Sequence, residues 1–440
     1  MFHHFSNKDQ NITNVLDSTI KRLNAKDPAL MQEIANRSGT QDPATLELNR
    51  VSIISACQNA KNRVASDPTT DSPGFVSRDP FVGLVQTNIG QNATALDPPA
   101  LANLASDWQQ YGDTDPRWAL CPIVSFFSLH DKPYPFVEQG DILDFVWMKQ
   151  SAKFTIAIMA DWGAPNDTAR MISKLIKDKG PDYVIHLGDV YYAGTQLECQ
   201  AVLDMWPLCD ATGTPLVDRS FALNGNHEMF CGARNYFGTI LKAFHQPASF
   251  FRIQSEYWQF FGLDSAYAGG CLTHPAVQSQ WNWLVENLNA NPNLSNILLT
   301  HHQPVSAHAQ EAHDAQQLRT DGETLLGLTR PDAIFGWIFG HQHEAAVYDD
   351  TVTKYKARLI GNGCIPHAAQ VSVAADDDPL CTPCNFVSTR TWGDGNAISS
   401  WVLLTVDGPQ IRVDYIDQDG ERSSLPQEVW TSPLPGQPFK

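Results

Sequence analysis

The sequence predicts an α/β fold in which buried strands alternate with helices. Short runs rich in β-branched and aromatic residues, bounded by Gly, Asp or Asn, are typical of buried strands. Helical signals separate the first of these runs, so the pattern from residue 153 onward is β-α-β. With 440 residues, 42% of them hydrophobic, the chain can form a large core. The predicted strands that bear most on function are 154–159, 183–187, 221–223, 297–299 and 334–339.

The N-terminal third differs from the rest of the chain in its spacing of apolar residues. Residues 15–35 and 46–64 carry apolar residues at three- and four-residue spacing, which predicts two amphipathic helices. Pro- and Asp-rich turns and mixed segments follow them. We expect residues 1–150 to form a mostly helical and mixed extension, residues 151–425 the main domain, and residues 426–440 a C-terminal tail. The extension could be a structural flank, a partial lid or a binding module.

Within the main domain, local signals define further helices and strands. Asn166 or Asp167 can cap a helix that runs to about Lys179, where Gly180 and Pro181 stop it. Residues 234–244 and 275–289 also have helical character. Later strands are predicted at 257–263, 345–348, 357–360, 399–406 and 410–416.

Composition and charge argue against several classes of protein. The net charge of −18 argues against a nucleic-acid surface, which needs a basic stripe. No apolar run reaches the length of about 18 residues needed for a membrane span, so none is expected. The chain begins without a secretory signal. The sequence does not predict an oligomeric state.

The cysteines leave the redox compartment open. The chain has nine, an odd number, so at least one is unpaired within it. Cys381 and Cys384 form a single Cys-x-x-Cys pair, which is consistent with a local disulfide or with two free thiols. A structural zinc site is disfavoured because it needs four ligands and a second pair is missing.

Metal-seeking side chains follow each of the five strands named first. In open α/β sheets, ligands bind just beyond the carboxyl ends of the strands, so the five clusters predict one site built from five loops. Carboxylates and phenolate suit a hard ion such as Fe(III), whereas imidazole and amide oxygen suit a softer divalent ion. Two metals about 3.5–4 Å apart need a bridging ligand, and a carboxylate has two oxygens for that role. The clusters are Asp161-Trp162-Gly163, Asp189-Val190-Tyr191-Tyr192, Asn226-His227-Glu228, His301-His302 and His341-Gln342-His343.

Two further histidines have less certain assignments. His186 lies inside a predicted strand and is expected to be a packed or hydrogen-bonded core residue. His302 follows a candidate ligand, but in an extended chain its side chain would point the other way, so its role is open.

Together the five clusters resemble those of the metallophosphoesterase superfamily and, within it, the purple acid phosphatases. Most of the superfamily has Asp-x-His in the first motif, whereas this chain has Asp161 followed by Gly163 at the His position. Tyr192 lies three residues after Asp189, which is the Asp-x-x-Tyr spacing of the purple enzymes. One ligand is lost and another gained, which makes the resemblance specific.

The resemblance implies a four-layer α-β-β-α sandwich that carries Fe(III) and a divalent metal, which could be Fe, Zn or Mn. It assigns Asp189 as the bridging ligand and His227 as the histidine that contacts the substrate phosphate. The implied Fe(III) ligands are Asp161, Tyr192 and His343, and the implied ligands of the divalent ion are Asn226, His301 and His341.

The implied reaction is hydrolysis of a small-molecule phosphoester by in-line attack of a metal-bound hydroxide. Family members place the leaving-group acid several residues after the equivalent of His301. His308 is the candidate here and His313 the alternative, although neither has the usual spacing. Residues 1–150 do not resemble the β-sandwich that precedes the catalytic domain of plant purple acid phosphatases. The resemblance also suggests a secreted or extracytoplasmic protein.

Three functions are compatible with these residues. The first is an acid phosphatase that cleaves phosphomonoesters, and the second is a phosphodiesterase with the same metals. The third is a non-catalytic scaffold, which is disfavoured because scaffolds typically lose ligands or the histidine that corresponds to His227.

Overall fold

The computed structural model describes scattered residues between 20 and 54, together with residues 133–138, 146–148, 152–365, 378–386, 396–420 and 427–436. The chain divides into two compact units. One consists of Met1–Pro133 with Phe230–Gly232, and the other of Tyr134–Met229 with Ala233–Lys440.

In the first unit, the described residues include parts of both predicted helices. They are helical at positions between 20 and 24 and between 43 and 54, with a turn at residues 25 and 26. Leu23 is fully buried, and its carbonyl oxygen accepts a hydrogen bond from Arg50 Nη1 at 3.1 Å. Arg50 also pairs with Glu47 at 2.6 Å. The residues of 46–64 beyond position 54 lie outside the described part.

The strands of the second unit form two mixed sheets. In chain order they are β1 Val146–Met148, β2 Lys153–Met159, β3 Tyr183–His186, β4 Ser220–Ala222, β5 Phe251–Gln254, β6 Trp258–Leu263, β7 Ser295–Thr300, β8 Gly336–Phe339, β9 Ala345–Tyr348, β10 Lys356–Ile360, β11 Cys384–Phe386, β12 Ser400–Asp407, β13 Gln410–Asp417 and β14 Glu428–Thr431. The eight-stranded sheet has the order β1-β5-β6-β7-β8-β10-β9-β11, and the six-stranded sheet has the order β14-β13-β12-β2-β3-β4.

Parallel pairing brings the functional loops to common sheet edges. In the six-stranded sheet, β2, β3 and β4 are parallel, with Ile158 opposite Ile185 in the register. In the eight-stranded sheet, β6, β7, β8 and β10 are parallel. The carboxyl ends of β2, β3 and β4 therefore meet at one edge of their sheet, and those of β7 and β8 meet at one edge of the other.

The main core lies between the two sheets. Alternate residues of β2, such as Ile156 and Ile158, pack with Phe260, Ile297 and Leu299 of the other sheet. A second core covers the opposite face of the eight-stranded sheet, where side chains from two helices pack on strand residues. Burial on both faces explains why these strands appear in the sequence as nearly continuous apolar runs.

Helices connect the strands of the second unit. They are α1 Asp167–Lys179, α2 Gln196–Asp204, α3 Asn226–Met229, α4 Lys242–Phe244, α5 Gln278–Ala290, α6 Ala309–Asp314, α7 Gln316–Leu328 and α8 Asp350–Thr353, with a π-helical turn at Tyr236–Leu241 and a 3₁₀ turn at Pro275–Val277. As predicted, Asn166 caps α1 and Gly180 ends it in the left-handed conformation. Trp281 of α5 and Leu318 of α7 belong to the second core. The predicted α-β-β-α sandwich is confirmed.

Two strands lie outside the boundaries that we expected for the main domain. β1, from the predicted extension, pairs in parallel with β5. β14, from the predicted tail, pairs antiparallel with β13, and its Trp430 is buried in the core between the sheets. β14 has only four residues and is followed by a Pro-rich segment, so its alternation of polar and apolar residues is too short to predict a strand. Its pairing with β13 stabilises the extended conformation.

The structure also bears on two further features of the sequence, its apolar segments and its Cys-x-x-Cys pair. Within the described ranges, no helix has both the length and the apolar character needed to cross a membrane. Cys384 is a free thiol, so it is not bridged to Cys381.

Candidate metal centre

Three of the predicted ligands occupy an unusual backbone conformation just beyond a strand. The φ angles of Asp161, Asp189 and His341 are 53°, 74° and 76°. Residues with a Cβ rarely adopt this left-handed region, and where they do the position is often functional. The sharp turn redirects each side chain from the line of its strand toward the centre of the site.

Glycines allow the loops to pack directly on the carboxylates. A Cβ on Gly340 would lie 2.6 Å from Asp161 Oδ2, and a Cβ on Gly225 would collide with Asp189 Oδ1. The loops after β2 and β3 are also joined by backbone hydrogen bonds, since Tyr191 N donates to Gly163 O at 3.0 Å. These contacts leave the two carboxylates little freedom to move.

Two groups of possible ligands share Asp189. The first consists of Asp189, His301 and His341, and the second of Asp161, Asp189 and His343, with the ligand atoms of each group within 4.8 Å of one another. Asp189 Oδ1 lies 3.3 Å from His301 Nε2 in the first group. Asp189 Oδ2 accepts a hydrogen bond from the Tyr191 hydroxyl at 3.0 Å on the side of the second group. The two oxygens of one carboxylate thus face two different sites, as a bridging ligand requires.

In the first group, nitrogen and oxygen atoms with free lone pairs lie close to one another. His301 Nδ1 lies 3.1 Å from the Leu187 carbonyl oxygen, to which only a protonated nitrogen can donate, and this leaves Nε2 as an acceptor. That Nε2 lies 2.8 Å from Asn226 Oδ1 and 3.1 Å from His341 Nδ1. Two imidazole nitrogens and an amide oxygen that lie this close together in a buried position are suitable ligands for a divalent cation.

The electrostatics of the site also fit bound cations. Asp161 is fully buried, and burial together with the neighbouring Asp189 carboxylate raises its pKa well above the ordinary value. Burial would also raise the pKa of Asp189, but His301 and His227 lower it to about 2. Burial lowers the pKa of His301 and of His341, which keeps both imidazoles in the neutral form that binds metals.

The tyrosine in the site differs from the one that the sequence spacing selected. The hydroxyl of Tyr191 lies 2.8 Å from Asp161 Oδ1 and 2.9 Å from His343 Nε2, and the side chain is fully buried. Burial and the two carboxylates raise the pKa of Tyr191 well above its ordinary value. Spacing had assigned this position to Tyr192, whose carbonyl oxygen instead faces His227. Residues 191–193 form a turn beyond β3, so the path of this loop decides which tyrosine enters the site.

His227 lies beside both groups without joining either of them. Its Nδ1 is 2.6 Å from the Tyr192 carbonyl oxygen, so that nitrogen carries the proton and donates it. Its Nε2 lies 3.7 Å from Asp189 Oδ2, and its backbone N–H donates to Asp189 Oδ1 at 3.0 Å. The ring is almost fully buried and packs edge-on against Tyr191.

The two candidate leaving-group histidines occupy different environments. His308 Nε2 is 3.3 Å from a carboxylate oxygen of Glu344, the residue that follows His343. His313 Nε2 is 3.0 Å from Asp378, and its side chain is 54% exposed. His308 is therefore tied to the loop of the site, whereas His313 pairs with an acid at the surface.

The other two histidines now have clear positions. The His302 ring lies 4.5 Å from that of His341, and its Nδ1 is 3.0 Å from the Ser265 hydroxyl, so it lies alongside the first group. His186 is a core residue, as predicted. It packs edge-on against Trp162, and burial lowers its pKa to about 3.

Three acids support the loops, and sequence reasoning named only one of them, Glu228, without assigning it this role. Glu228 accepts a hydrogen bond from the backbone N–H of Asp189 at 3.2 Å. Glu311 accepts hydrogen bonds from Ser306 and from Gln342, the residue between the two histidines of the last motif, and burial raises its pKa to about 8. Glu198 accepts hydrogen bonds from the loop after Tyr191. Glu228 lies in one of the five clusters, and Thr195-x-x-Glu198 has the spacing of a helix capping box, whereas Glu311 had no sequence signal.

Comparisons with known proteins relate part of the chain to one family. Residues 154–345 match the family described as "Calcineurin-like phosphoesterase". No curated protein matches the chain.

Several solved structures are similar in fold at low identity. One is described as "GAP50 the anchor in the inner membrane complex of Plasmodium", with 12% identity and a TM-score of 0.49 over 65% of this chain and 90% of that one. Another is the purple acid phosphatase PPD1 from yellow lupin (Lupinus luteus) seeds, with 14% identity and a TM-score of 0.43 over 64% of this chain and 54% of that one. A third is Vps29 of Chaetomium thermophilum, with 11% identity and a TM-score of 0.29 over 64% of this chain and 100% of that one.

Metallophosphoesterases use a dinuclear metal centre, and Asp189, His301, His341, Asp161 and His343 are candidate ligands for one. The sequence match, the two packed mixed sheets and these ligands agree with one another: residues 154–345 match a calcineurin-like phosphoesterase domain, and they carry candidate ligands for its metal centre.

Proposed function

We propose that this domain is an acid phosphatase of the purple type, which cleaves small-molecule phosphomonoesters with Fe(III) and a divalent metal. One observation carries the proposal. Asp189 is shared by two groups of ligands, and a buried tyrosine hydroxyl lies within hydrogen-bonding distance of the second group.

The two groups suit two different ions. Asp161, Tyr191 and His343 offer a carboxylate, a phenol and an imidazole, and the hard oxygen donors favour Fe(III). Asn226, His301 and His341 offer an amide oxygen and two imidazoles, which favour Fe(II), Zn or Mn. Asp189, which belongs to both groups, would be shared by the two ions. Tyr191 takes the place that spacing had given to Tyr192, because its hydroxyl reaches both carboxylates.

When bound, the two ions supply Lewis acidity and lower the pKa of a coordinated water. His227 acts on the substrate when both ring nitrogens carry a proton: Nδ1–H donates to the Tyr192 carbonyl, and Nε2–H faces the centre, where it donates to a phosphate oxygen. Such a contact stabilises the charge that develops on the phosphoryl oxygens. His308 is the proton donor for the leaving alkoxide, and the Glu344 carboxylate balances the charge of its protonated ring.

The choice between substrates can be tested with two synthetic esters. The metal-loaded protein should hydrolyse nitrophenyl phosphate faster than bis(nitrophenyl) phosphate. Preference for the diester would favour the phosphodiesterase alternative, to which an unusually spaced acid histidine is also suited. A protein that binds two metals but cleaves neither ester would favour the scaffold alternative.

A further inference from the structure

We propose that Glu198 is a positioning residue for His227, and that it acts through the peptide group between Tyr192 and Ala193. The inference rests on the proposed contact between His227 and the substrate phosphate. It assigns a task to a residue that local sequence analysis would treat only as a helix cap.

The Glu198 carboxylate accepts four hydrogen bonds from one loop. Oε1 accepts from Tyr192 N at 2.6 Å, and Oε2 accepts from Ala193 N at 3.2 Å. Oε2 also accepts from the backbone N–H and the hydroxyl of Thr195, at 2.8 and 2.7 Å. The Thr195 contacts belong to the start of α2, where a capping box is expected. The contacts to Tyr192 and Ala193 lie outside the helix, on the segment that directly follows Tyr191.

One peptide group links this carboxylate to His227. The N–H of Ala193 and the C=O of Tyr192 belong to the same peptide. Its N–H donates to Glu198, and its C=O accepts from His227 Nδ1 at 2.6 Å. Hydrogen bonds arranged in a chain polarise one another, so a carboxylate at one end strengthens the carbonyl as an acceptor at the other. The arrangement orients the ring and keeps Nδ1 as a donor to the carbonyl, so that Nε2, which carries the second proton when it donates to phosphate, faces Asp189 and the proposed phosphate position.

Two variants separate this role from helix capping. Glu198→Gln keeps the size of the side chain but removes its charge and sets an NH₂ group against N–H donors. Glu198→Asp keeps the charge but is one methylene shorter, so it should not accept from Tyr192, Ala193 and Thr195 at the same time. Both should lower kcat by about 10- to 100-fold, the usual effect of removing an orienting partner. Both should keep two metals per chain.

Asp349→Asn provides a matched control. Asp349 caps α8 by accepting hydrogen bonds from the backbone N–H and the hydroxyl of Thr351, at 2.8 and 2.7 Å, which repeats the Thr195 part of the Glu198 arrangement. This variant loses the same kind of cap and should retain the wild-type kcat.

The decisive measurement is a double-mutant cycle with His227→Ala. If Glu198 acts through His227, Glu198→Gln should have almost no further effect on kcat, or on the affinity for inorganic phosphate measured by calorimetry, once His227 is absent. An equal loss in both backgrounds would overturn the proposal and leave Glu198 as a structural cap. A wild-type kcat in both single variants would overturn it as well.

A readout that is independent of activity keeps this test separate from the proposed function. In zinc-loaded protein with ¹⁵N-labelled histidine, the His227 signals are identified by their absence in His227→Ala. Glu198→Gln should shift the Nδ1 signal, whereas Asp349→Asn should not. A wild type that cleaves no phosphoester would contradict the proposed function. It would not by itself contradict the positioning role, which an unchanged Nδ1 signal in Glu198→Gln would reject.

Discussion

Tyr191 is the residue at which the proposed metal chemistry is most directly visible. Its hydroxyl lies within 3.0 Å of oxygens of both Asp161 and Asp189, and its pKa is raised, so a phenolate there needs a cation to stabilise it. A phenolate bound to Fe(III) absorbs visible light by charge transfer to the metal, which is the origin of the colour in the purple family.

We expect the iron-loaded, oxidised protein to be violet or pink, and Tyr191→Phe to remove the visible band. Tyr192→Phe should keep the band, because the backbone of Tyr192 is unchanged and its carbonyl still accepts from His227. An absorption spectrum of each variant checks the prediction. Loss of the band in Tyr192→Phe alone would show that the Asp-x-x-Tyr spacing identifies the ligand correctly, and that Tyr191 is not the ligand.

His227 should affect turnover and leave the metals in place. Its ring lies beside both groups of ligands, and we place it on the phosphate. His227→Ala is expected to lower kcat by about 10²–10⁴, the range for a positioned acid or charge stabiliser. Metal content, measured by elemental analysis, should not change. Loss of a metal ion would make His227 a ligand and contradict our assignment.

His308 and His313 form a natural comparison for the leaving-group acid. His308 contacts Glu344 next to the site, whereas His313 pairs with Asp378 at the surface. His308→Ala should slow the hydrolysis of alkyl phosphates far more than that of nitrophenyl phosphate, because a poor leaving group needs the proton most. His313→Ala should affect neither substrate. Equal losses on both substrates in His308→Ala would exclude the role.

At the scale of elements, strand β14 is held by a buried ion pair between the two sheets. Arg358 of β10 donates from Nε to Glu428 Oε1 at 2.9 Å and from Nη2 to Oε2 at 2.6 Å. The Arg358 side chain is only 3% exposed. Burial by itself raises the pKa of Glu428, but the hydrogen bonds and charge of Arg358 outweigh this and lower it. The pair thus joins the last strand of the six-stranded sheet to the eight-stranded sheet.

The sign of the Glu428 shift predicts how stability depends on pH. A carboxylate whose pKa is lowered by folding contributes stability above its unfolded pKa, about 4.3, and loses that contribution as the pH falls through the folded value. At pH 7, Glu428→Gln should lower the free energy of unfolding by about 1.5–3 kcal/mol, the range for hydrogen bonds to a charged group, because Arg358 keeps Asp350 as a partner. The difference from the wild type should shrink below about pH 4.3.

Thermal melts of both proteins from pH 3 to 7 check this expectation. Asp407→Asn is the control, because Asp407 pairs with Lys153 at the surface, where the two side chains are 61% and 67% exposed. An exposed pair contributes little, so this variant should melt close to the wild type at all pH values. A gap between the wild type and Glu428→Gln that stays constant down to pH 3 would contradict the linkage.

At the scale of the whole molecule, metal binding should stabilise the folded domain. The five loops of the site come from both sheets, and they meet at two buried carboxylates that repel each other without a cation. Ligand binding to the folded state adds about 4.1 kcal/mol when the free metal is at 1,000 times its Kd.

The melting temperature should therefore rise with added Zn²⁺ or Fe²⁺ and fall after treatment with a chelator. Asp189→Ala should abolish this dependence, because it removes the ligand common to both groups, and it should leave no activity. Two metals per chain in Asp189→Ala, found by elemental analysis, would contradict the bridging role.

Much of the fold follows from local pattern. Most strands after residue 153 could be recognised because burial on both faces selects uninterrupted apolar runs. The short strands β5 and β11 were not predicted. α1 could be bounded at both ends because Asn166 and Gly180 act within their own turns. Strand β14 could not be recognised, because its four residues become a strand only through pairing with β13 and through the contact of Glu428 with Arg358.

By itself, the sequence determined which candidate ligands follow strands, and parallel strands carry such residues to one edge of a sheet. These ligands are Asp161, Asp189, Asn226, His301, His341 and His343. Only the tertiary structure decided that Tyr191 enters the site, that the Tyr192 carbonyl faces His227, and that Glu198 holds the loop between them. Residue type and strand position are properties of nearby sequence. The direction of a side chain in an irregular loop depends on hydrogen bonds to distant residues, which spacing along the chain does not encode.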